Sequence, residues 1–483
     1  MTRKLSRLHF VGIGGIGMAA LAELMHAQGM EVTGSDVVEG ATVGRLRERG
    51  IAITIGHDAT SVGRAETVVR SSAIAEDNPE LVAARDRGLT IVSRGALLAE
   101  VMRTRDAVAI AGSHGKTTTS AMTAHLLEAA GLDPMALVGG RMPRANGGAS
   151  PVKLGQGDLI VAEVDESDGS FLLTRPLLAV ITNVDPEHLD HYGSETALHD
   201  AFVEFANSVP FVGATILGID HPGVASIEPR IRSRKIGFGF HPDAQLRAER
   251  VEAVPGGQRC HVVWRGEQRF SFELPMPGRH NVLNALAALA VGLEQEVAPA
   301  ILAEAMAAFP GVGRRFERKG RAAGVEVIDD YAHHPAEVRA ALAGARSVHE
   351  GPITAIFQPH RYTRTRDCWD DFLTAFADAD RVLVCDIYPA SEQPLEGIDS
   401  EALARAIHAA GHPEALHGGS LDEIARDWPS RFVPGELVMT IGAGDVVGLV
   451  PRLLAALEGH TAEDASRSRR SPETPSRRCW DRA

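Results

Sequence analysis

Cysteine is scarce in this chain. Cys260, Cys368, Cys385 and Cys479 are the only four among 483 residues, and no two sit at metal-ligand spacing. That excludes a disulfide framework and a cysteine-built zinc site. Aromatic residues make up only 5%. No apolar run approaches the ~20 residues that a membrane-spanning helix needs, so no membrane span is expected. Positive charge is in deficit: Lys+Arg total 49 against 63 Asp+Glu, a net charge of −14. So acidic a surface repels phosphate backbones, which argues against a nucleic-acid partner but leaves room for a local basic nucleotide pocket. The first residues, Met1-Thr-Arg-Lys-Leu-Ser-Arg, carry positive charges without an apolar stretch behind them. No secretory signal is expected, and the cytoplasm is the expected compartment. What is present is ordinary globular material, 44% hydrophobic and 23% charged residues, enough for about three domains.

Short apolar runs alternate with helix-period stretches, the pattern of parallel α/β domains. The first block has strands expected at 8–11, 31–33, 67–70 and 90–92, and a helix near 18–28. A charged stretch at 103–106 has the composition of a linker. The second block restarts with a strand at 107–111 and a helix to about Ala130, then strands at 159–164, 178–183 and 215–219. Between 235 and 274 the pattern turns strand-rich around Pro255-Gly-Gly257, an expected antiparallel excursion. Helices follow at 281–293 and 299–309. After Pro310-Gly-Val-Gly313 a third block has strands expected at 325–328, 354–357, 381–385 and 437–441. Residues 461–483 are rich in Ser, Arg, Pro and Glu and are expected to form a disordered tail. No internal repeat is visible.

Two glycine loops carry the chemistry. Gly12-Ile-Gly14-Gly15-Ile16-Gly17 fits G-x-G-x-x-G between a strand and a helix, where backbone N–H groups can approach a pyrophosphate. Asp36 lies 19 residues further on, where dinucleotide folds place a ribose-binding acid. The motif specifies a pyrophosphate more firmly than a nicotinamide. Gly112-Ser113-His114-Gly115-Lys116-Thr117-Thr118-Thr119 is a shortened phosphate loop. Its amides would wrap phosphates, Lys116 would reach the β- and γ-oxygens, and the Thr117 hydroxyl would ligate Mg²⁺. The bland alternative is a glycine turn with a surface lysine.

Acids and cations collect at further expected strand ends. Glu163-Val-Asp165-Glu166-Ser-Asp168 offers carboxylates for Mg²⁺, with Glu163 or Asp165 as the candidate; a solvated acidic loop is the alternative. Asp185, Glu187 and His188 follow the next strand, and on chemistry alone a lone histidine such as His188 is a poor Mg²⁺ ligand. Asn281 and Asn284 share a helix face and could bond a nucleotide, unless Asn281 is simply the helix cap. In the third block, Asp330, Tyr331, His333 and His334 end one strand, and His360, Arg361 and Arg364 follow another. An acid/histidine cluster and an arginine cluster can jointly hold a carboxylate or phosphate.

The order of these motifs, with His9-Phe-Val-Gly-Ile-Gly-Gly-Ile-Gly-Met18, the loop 112–119 and Phe357-Gln-Pro-His-Arg-Tyr-Thr-Arg364, closely resembles the Mur ligases over about residues 8–458. Within the family, the branch that adds L-alanine is most similar. The resemblance implies an α/β chain of three domains. These are a Rossmann-like UDP-sugar-binding domain at 1–105, a P-loop ATP-binding domain with a parallel central sheet and an antiparallel excursion at 106–312, and a Rossmann-like amino-acid-binding domain at 313–460. It implies that ATP phosphorylates the lactyl carboxylate of UDP-N-acetylmuramate and that the amine of L-alanine attacks the acyl phosphate, the first amino-acid addition in peptidoglycan precursor synthesis. It gives Gly12, Gly14, Gly15, Ile16, Gly17 and Asp36 to the UDP-sugar. It gives Gly112, Ser113, His114, Gly115, Lys116, Thr117, Thr118, Asn281, Asn284, Arg315 and Asp330 to ATP. Thr117 and Glu163 would hold one Mg²⁺ and His188 a second, against the chemical argument above. Lys116, Glu163, His188, Arg315 and Asp330 form the implied catalytic set. Tyr331, His333, His360, Arg361 and Arg364 form the implied alanine and acyl-phosphate pocket.

The chain departs from the family at Ser113, where threonine is common, and at Ala332, where glycine is frequent. Sister ligases carry a carbamylated lysine after the strand-end histidine, but no lysine lies between Lys153 and Lys235. Three rivals stand beside this expectation. One is a ligase of the same family that attaches a preformed tripeptide. Another is an NAD-dependent oxidoreductase fused to an ATPase, disfavoured because nothing in the third block suits hydride transfer. The last is a P-loop switch or motor, disfavoured by the charge. A homodimer is left open.

Overall fold

The computed structural model describes residues 6–143, 148–390 and 392–468. The chain divides between Gly313 and Arg314 into two compact units. The first unit holds two sheets. One comprises β1 (Arg7–Val11), β2 (Glu31–Asp36), β3 (Ala52–Ile55), β4 (Thr67–Arg70) and β5 (Thr90–Ser93), all parallel, in the order β3-β2-β1-β4-β5. Strand order reverses beside β1, and an open parallel sheet forms a ligand crevice at that switch point. The glycine loop 12–17 leaves β1 there and enters helix Ile16–Ala27.

The other sheet comprises β6 (Asp106–Ala111), β7 (Met135–Pro143), β8 (Ala149–Lys153), β9 (Leu159–Glu163), β10 (Leu178–Ile181), β11 (Ala214–Gly218), β12 (Lys235–Gly239), β13 (Leu246–Val254), β14 (Gly257–Trp264) and β15 (Gln268–Leu274). Its order is β15-β14-β13-β12-β11-β10-β6-β9-β7-β8. β13, β14 and β15 form an antiparallel meander, β7 and β8 an antiparallel pair, and the strands between run parallel. β6 is buried from Ala107 to Ala111, as expected of a strand covered on both faces. It lies between β10 and β9, so its C-terminal end is again a switch point. Helix Arg279–Glu294 is buried over most of its circumference, which its run of Ala, Leu and Val permits. One apolar cluster joins Leu24 and Met25 of the first sheet's helix to Met135, Val152 and Ile160 of the second sheet.

The second unit holds β16 (Glu317–Ala322), β17 (Val325–Asp330), β18 (Ile353–Phe357), β19 (Arg381–Cys385), β20 (Ala415–Gly419) and β21 (Leu437–Ile441), in the order β16-β17-β21-β18-β19-β20. Only the edge pair β16–β17 is antiparallel. The expected α/β class with an antiparallel excursion is therefore what the chain adopts, on three sheets. The strands that the sequence did not announce are β3, β7, β8, β16 and β20. β7 and β8 contain Gly139, Gly140 and prolines, and β16 reads Glu-Arg-Lys-Gly-Arg-Ala, so neither propensity nor alternation marks them.

Two expectations are corrected. The linker at 103–106 is only the short link between helix Arg94–Met102 and β6, which already includes Asp106. The last helix runs Leu449–Ser468, past the expected start of the tail at Thr461, because extending a formed helix adds a hydrogen bond per residue. The rest of that segment lies outside the described residues. Among the described residues no helix is long and apolar enough to cross a membrane.

Candidate active site

The first glycine loop is pinned by β2. Gly12 and Ile13 both donate their N–H to the Ser35 carbonyl, at 2.9 and 3.0 Å. The Gly14 N–H donates to Asp36 Oδ2 at 2.7 Å, and the Val38 N–H to Asp36 Oδ1 at 3.1 Å. A Cβ on Gly14 would lie 2.8 Å from that carboxylate oxygen, so only glycine lets Asp36 hold the loop. Helix Ile16–Ala27 starts at Gly15 without a side-chain cap or an acidic residue in its first turn, which keeps its positive end suited to an anion. Arg94 lies against Gly17 and donates to Asp165 Oδ2 at 2.9 Å. Arg94 was not anticipated; it precedes helix residues with no motif of their own, and only folding brings it to this loop.

The phosphate loop hangs from β6. Gly115 has φ +82°, and a Cβ there would collide with the Asn284 side chain, so the position requires glycine on two counts. The loop backbone is held from β10: the His114 N–H donates to Asn183 Oδ1 at 2.7 Å, and the Thr182 hydroxyl donates to the His114 carbonyl at 2.7 Å. Asp185 N–H donates to Ser113 Oγ at 2.9 Å. Lys116 reaches the Gly112 carbonyl at 2.6 Å and both oxygens of Glu166 at 2.6 and 2.8 Å. Burial works against its ammonium, but Glu166, Asp165 and Glu163 outweigh burial and raise its pKa. Burial likewise pushes the Glu166 carboxyl up, with Lys116 pulling the other way. Glu166 is thus the partner of Lys116, a role that the acidic run did not reveal, because loop geometry decides which carboxylate turns inward.

The remaining acids divide their tasks. Glu163 Oε1 accepts from the Thr117 hydroxyl at 3.2 Å, and Oε2 accepts from the Gly139 N–H at 2.7 Å. Burial opposes ionisation of Asp165, but Arg94 and then Lys116 hold its carboxyl below the ordinary value. Of the two carboxylates, it is Glu163 that meets the Thr117 hydroxyl. A hydroxyl and a carboxylate side by side are the donor set that Mg²⁺ favours, so the pair fits that ion. Asp185 is held well below the usual carboxylate range by hydrogen bonds from His114 and His221, each at 3.2 Å. His188 adopts φ +57°, with Nε2 4.0 Å from Glu166 Oε1 and 3.8 Å from Glu187 Oε2. Its imidazole is a weaker match to Mg²⁺ than the oxygen pair. Asn281 is not a helix cap, since Gly278 holds that position. Its Nδ2 donates to the Pro277 carbonyl at 2.8 Å, while Asn284 links it to the Thr119 hydroxyl, each contact 3.3 Å. Thr118 is buried in helix Lys116–Ala129.

The second unit has its own strand-end cluster, at β17, β18 and β21. Asp330 accepts from the Phe316 and Ala332 N–H groups, both at 2.8 Å. Burial dominates it and pushes its carboxyl up to about 6, against the pull of Arg315. Arg315 lies 5.2 Å over the Tyr331 ring. Arg314, its unanticipated neighbour, takes a structural place instead: it donates to Asp329 at 3.0 Å and to the Gly442 carbonyl at 2.6 Å. Tyr331, His333 and His360 form a ring chain with centroids 5.4 and 6.1 Å apart, and Tyr388 stacks on His360 at 5.4 Å. Tyr388 was also missed, since nothing in Asp386-Ile-Tyr388-Pro marks it. Burial pushes both His333 and His360 down to about 4, so both imidazoles are neutral near pH 7. Arg364 Nη1 lies 3.2 Å from His360 Nδ1, and Arg361 starts the short helix Tyr362–Asp367 at φ +71°. Neutral rings beside two arginines make a positively charged cluster suited to carboxylate or phosphate oxygens.

Comparison with known proteins places these features. Three family models match consecutive stretches: the Mur ligase family catalytic domain over residues 7–106, the Mur ligase middle domain over 110–292, and the Mur ligase glutamate ligase domain over 314–444. A curated UDP-N-acetylmuramate–L-alanine ligase of Anaeromyxobacter dehalogenans is 50% identical over 453 residues, 94% of this chain and 98% of that protein. The crystal structure of the UDP-N-acetylmuramate-alanine ligase of Thermotoga maritima superposes with a TM-score of 0.80 at 29% identity, covering 96% of this chain and all of that one. A murein peptide ligase of Psychrobacter arcticus gives a TM-score of 0.70 at 25% identity, over 94% of this chain and 99% of that one. With both glycine loops, the strand-end acids and the arginine pocket falling inside those matched stretches, the chain belongs to the Mur ligase family.

Proposed function

We propose that the chain is an ATP-dependent ligase that joins L-alanine to the lactyl carboxylate of UDP-N-acetylmuramate, in the first amino-acid addition of peptidoglycan precursor synthesis. The carrying observation is 50% identity to an L-alanine ligase over nearly the whole of both chains. In this scheme the carboxylate oxygen takes the γ-phosphoryl group of ATP and ADP leaves. The alanine amine then attacks the acyl carbon, and the tetrahedral intermediate collapses with loss of phosphate and of an amine proton.

The residues divide as follows in this proposal. Residues 1–105 form the UDP-sugar domain, where Gly12, Gly14, Gly15, Ile16 and Gly17 offer backbone N–H groups to the diphosphate and Asp36 fixes the loop. Residues 106–312 form the ATP domain. There the loop from Gly112 to Thr118 receives the phosphates, Lys116 places positive charge on the γ-phosphoryl oxygens, and Asn281 and Asn284 support the loop from helix Arg279–Glu294. Thr117 and Glu163 would hold Mg²⁺, with His188 at a second ion. The ion, when bound, would supply positive charge to phosphate oxygens in transfer. Residues 313–460 form the amino-acid domain, in which Arg315 and Asp330 serve ATP. Tyr331, His333, His360, Arg361 and Arg364 receive alanine and the acyl phosphate; the two arginines supply the charge, and the neutral imidazoles add none.

The test is phosphate release from ATP in the presence of UDP-N-acetylmuramate, across all amino acids and the L-alanyl-γ-D-glutamyl-meso-diaminopimelate tripeptide. Release should depend on L-alanine. Release with the tripeptide and not with alanine would transfer the chain to the peptide-ligase branch. Calorimetric titration should show UDP-N-acetylmuramate binding and no NAD binding; the reverse would sink the ligase proposal.

A further inference from the structure

A buried ionic hub lies behind the first glycine loop, and no step above uses it. Glu80 is the second residue of helix Pro79–Asp86, capped by Asn78, and its carboxylate is fully buried. An unpaired carboxylate there would be strongly destabilising. It is instead saturated with donors. Oε2 lies 2.8 Å from His9 Nε2 and 2.7 Å from the Ser35 hydroxyl, and Oε1 lies 3.0 Å from His57 Nδ1. The other nitrogen of His9 meets the Thr33 hydroxyl at 2.8 Å. Burial opposes ionisation of Glu80, yet the hydrogen bonds from His9, Ser35 and His57 lower its pKa, so it stays an anion.

The partners show what the hub controls. His9 is on β1, three residues before Gly12. Thr33 and Ser35 are on β2, and His57 follows β3. Ser35 faces two ways: its hydroxyl serves Glu80, while its carbonyl accepts the N–H groups of both Gly12 and Ile13. The next residue, Asp36, accepts the Gly14 N–H. Among the described residues, each hydrogen bond from the glycine loop to β2 therefore ends on Ser35 or its neighbour, and Ser35 is tied to one buried carboxylate. An apolar residue at position 80 could fill the space, but it could not fix the rotation of β2 about Ser35.

We propose that Glu80 is a positioning residue for the UDP-sugar, acting through Ser35 and His9 to set the N–H groups of the loop 12–17. The proposal rests on the assignment of that loop to the UDP-sugar. The experiment compares full-length wild type, Glu80→Gln and Ser35→Ala by steady-state kinetics and by titration with UDP-N-acetylmuramate. Glutamine keeps the shape but sets its own N–H₂ against the hub's donors. Glu80→Gln should raise KM for UDP-N-acetylmuramate roughly tenfold, with KM for ATP and L-alanine within about twofold and kcat nearly unchanged. Ser35→Ala, which keeps the backbone carbonyl, should shift the same constant less and stands in if Glu80→Gln does not fold. A purely structural hub would lower melting temperature and active fraction, and so kcat, with KM for the UDP-sugar unmoved; that result overturns the proposal. Wild type that fails to bind UDP-N-acetylmuramate overturns the loop assignment itself, whereas equal binding by wild type and both variants overturns only the role of Glu80.

Discussion

The strand-end clusters of the two units differ in how far neighbouring charge offsets burial. Around the phosphate loop the ionisable groups meet partners: Lys116 has Glu166, Asp165 has Arg94, and Asp185 takes hydrogen bonds from His114 and His221. In the second unit burial prevails over pairing. Among the described residues Asp330 meets backbone donors and is pushed up to about 6, and burial pushes His333 and His360 down to about 4. Burial penalises charge in both places: Lys116 and Asp165 are held ionised by the opposite charges around them, whereas Glu166 and Asp330 are both pushed up despite a cation nearby, and His333 is pushed down although Glu337 Oε2 lies 3.3 Å from its Nδ1. The first cluster thereby keeps the Lys116 ammonium beside the loop that would receive a polyphosphate. In the second unit's cluster the imidazoles of His333 and His360 are neutral near pH 7 and the arginines carry the positive charge.

The sharpest way to break this comparison is to remove one member of a pair. Lys116→Ala should lower turnover by about 10²–10³, the typical loss for one preorganised charge contact, and should leave UDP-N-acetylmuramate affinity intact. The measurement is turnover together with UDP-sugar titration. Near-normal turnover would make Lys116 a bystander. Glu163→Ala should cost less, roughly 10–100-fold, and should be partly restored across a Mg²⁺ titration, because the loss is of an ion ligand and not of a fixed charge. No response to Mg²⁺ would remove Glu163 from the ion site.

The second unit's cluster is tested by pH. The unfolded chain protonates His333 near 6.5, the folded one only near 4, so this group subtracts stability as pH falls between those values. Asp330 has the opposite sign: folded, it takes its proton near 6 and not near 3.8, so it adds stability as pH falls through the same range. Thermal melts of wild type, His333→Gln and Asp330→Asn from pH 7 to 4.5 separate the two. His333→Gln should flatten the acid decline and Asp330→Asn should steepen it, each by roughly 2–5 °C. Parallel curves for all three would show that burial does not govern these groups.

Much of this was legible in advance. The buried parallel strands announce themselves as apolar runs, as in Asp106-Ala-Val-Ala-Ile-Ala111, and the glycine loops follow them at fixed offsets. Those signals are local, since a strand's burial and a loop's tight turn are written in adjacent residues. Hence the α/β class, the two phosphate-type loops and the arginine-rich pocket came from sequence alone. The polar edge strand β16 and the glycine-containing β7 stayed hidden, because their pairing is decided by a neighbouring strand and not by their own composition. The same holds for partners. Among Glu163, Asp165 and Glu166 the family resemblance singles out Glu163 as the partner of Thr117, but the chemistry of the run does not say which carboxylate meets which group. The fold assigns them to Thr117, Arg94 and Lys116, by the direction in which each side chain leaves the end of β9. Glu80, from a helix start with no motif, becomes the centre of a buried network for the same reason. Sequence determined which backbone devices exist; tertiary structure decided which charges meet, because an ion pair needs two groups from distant segments brought within a few ångströms.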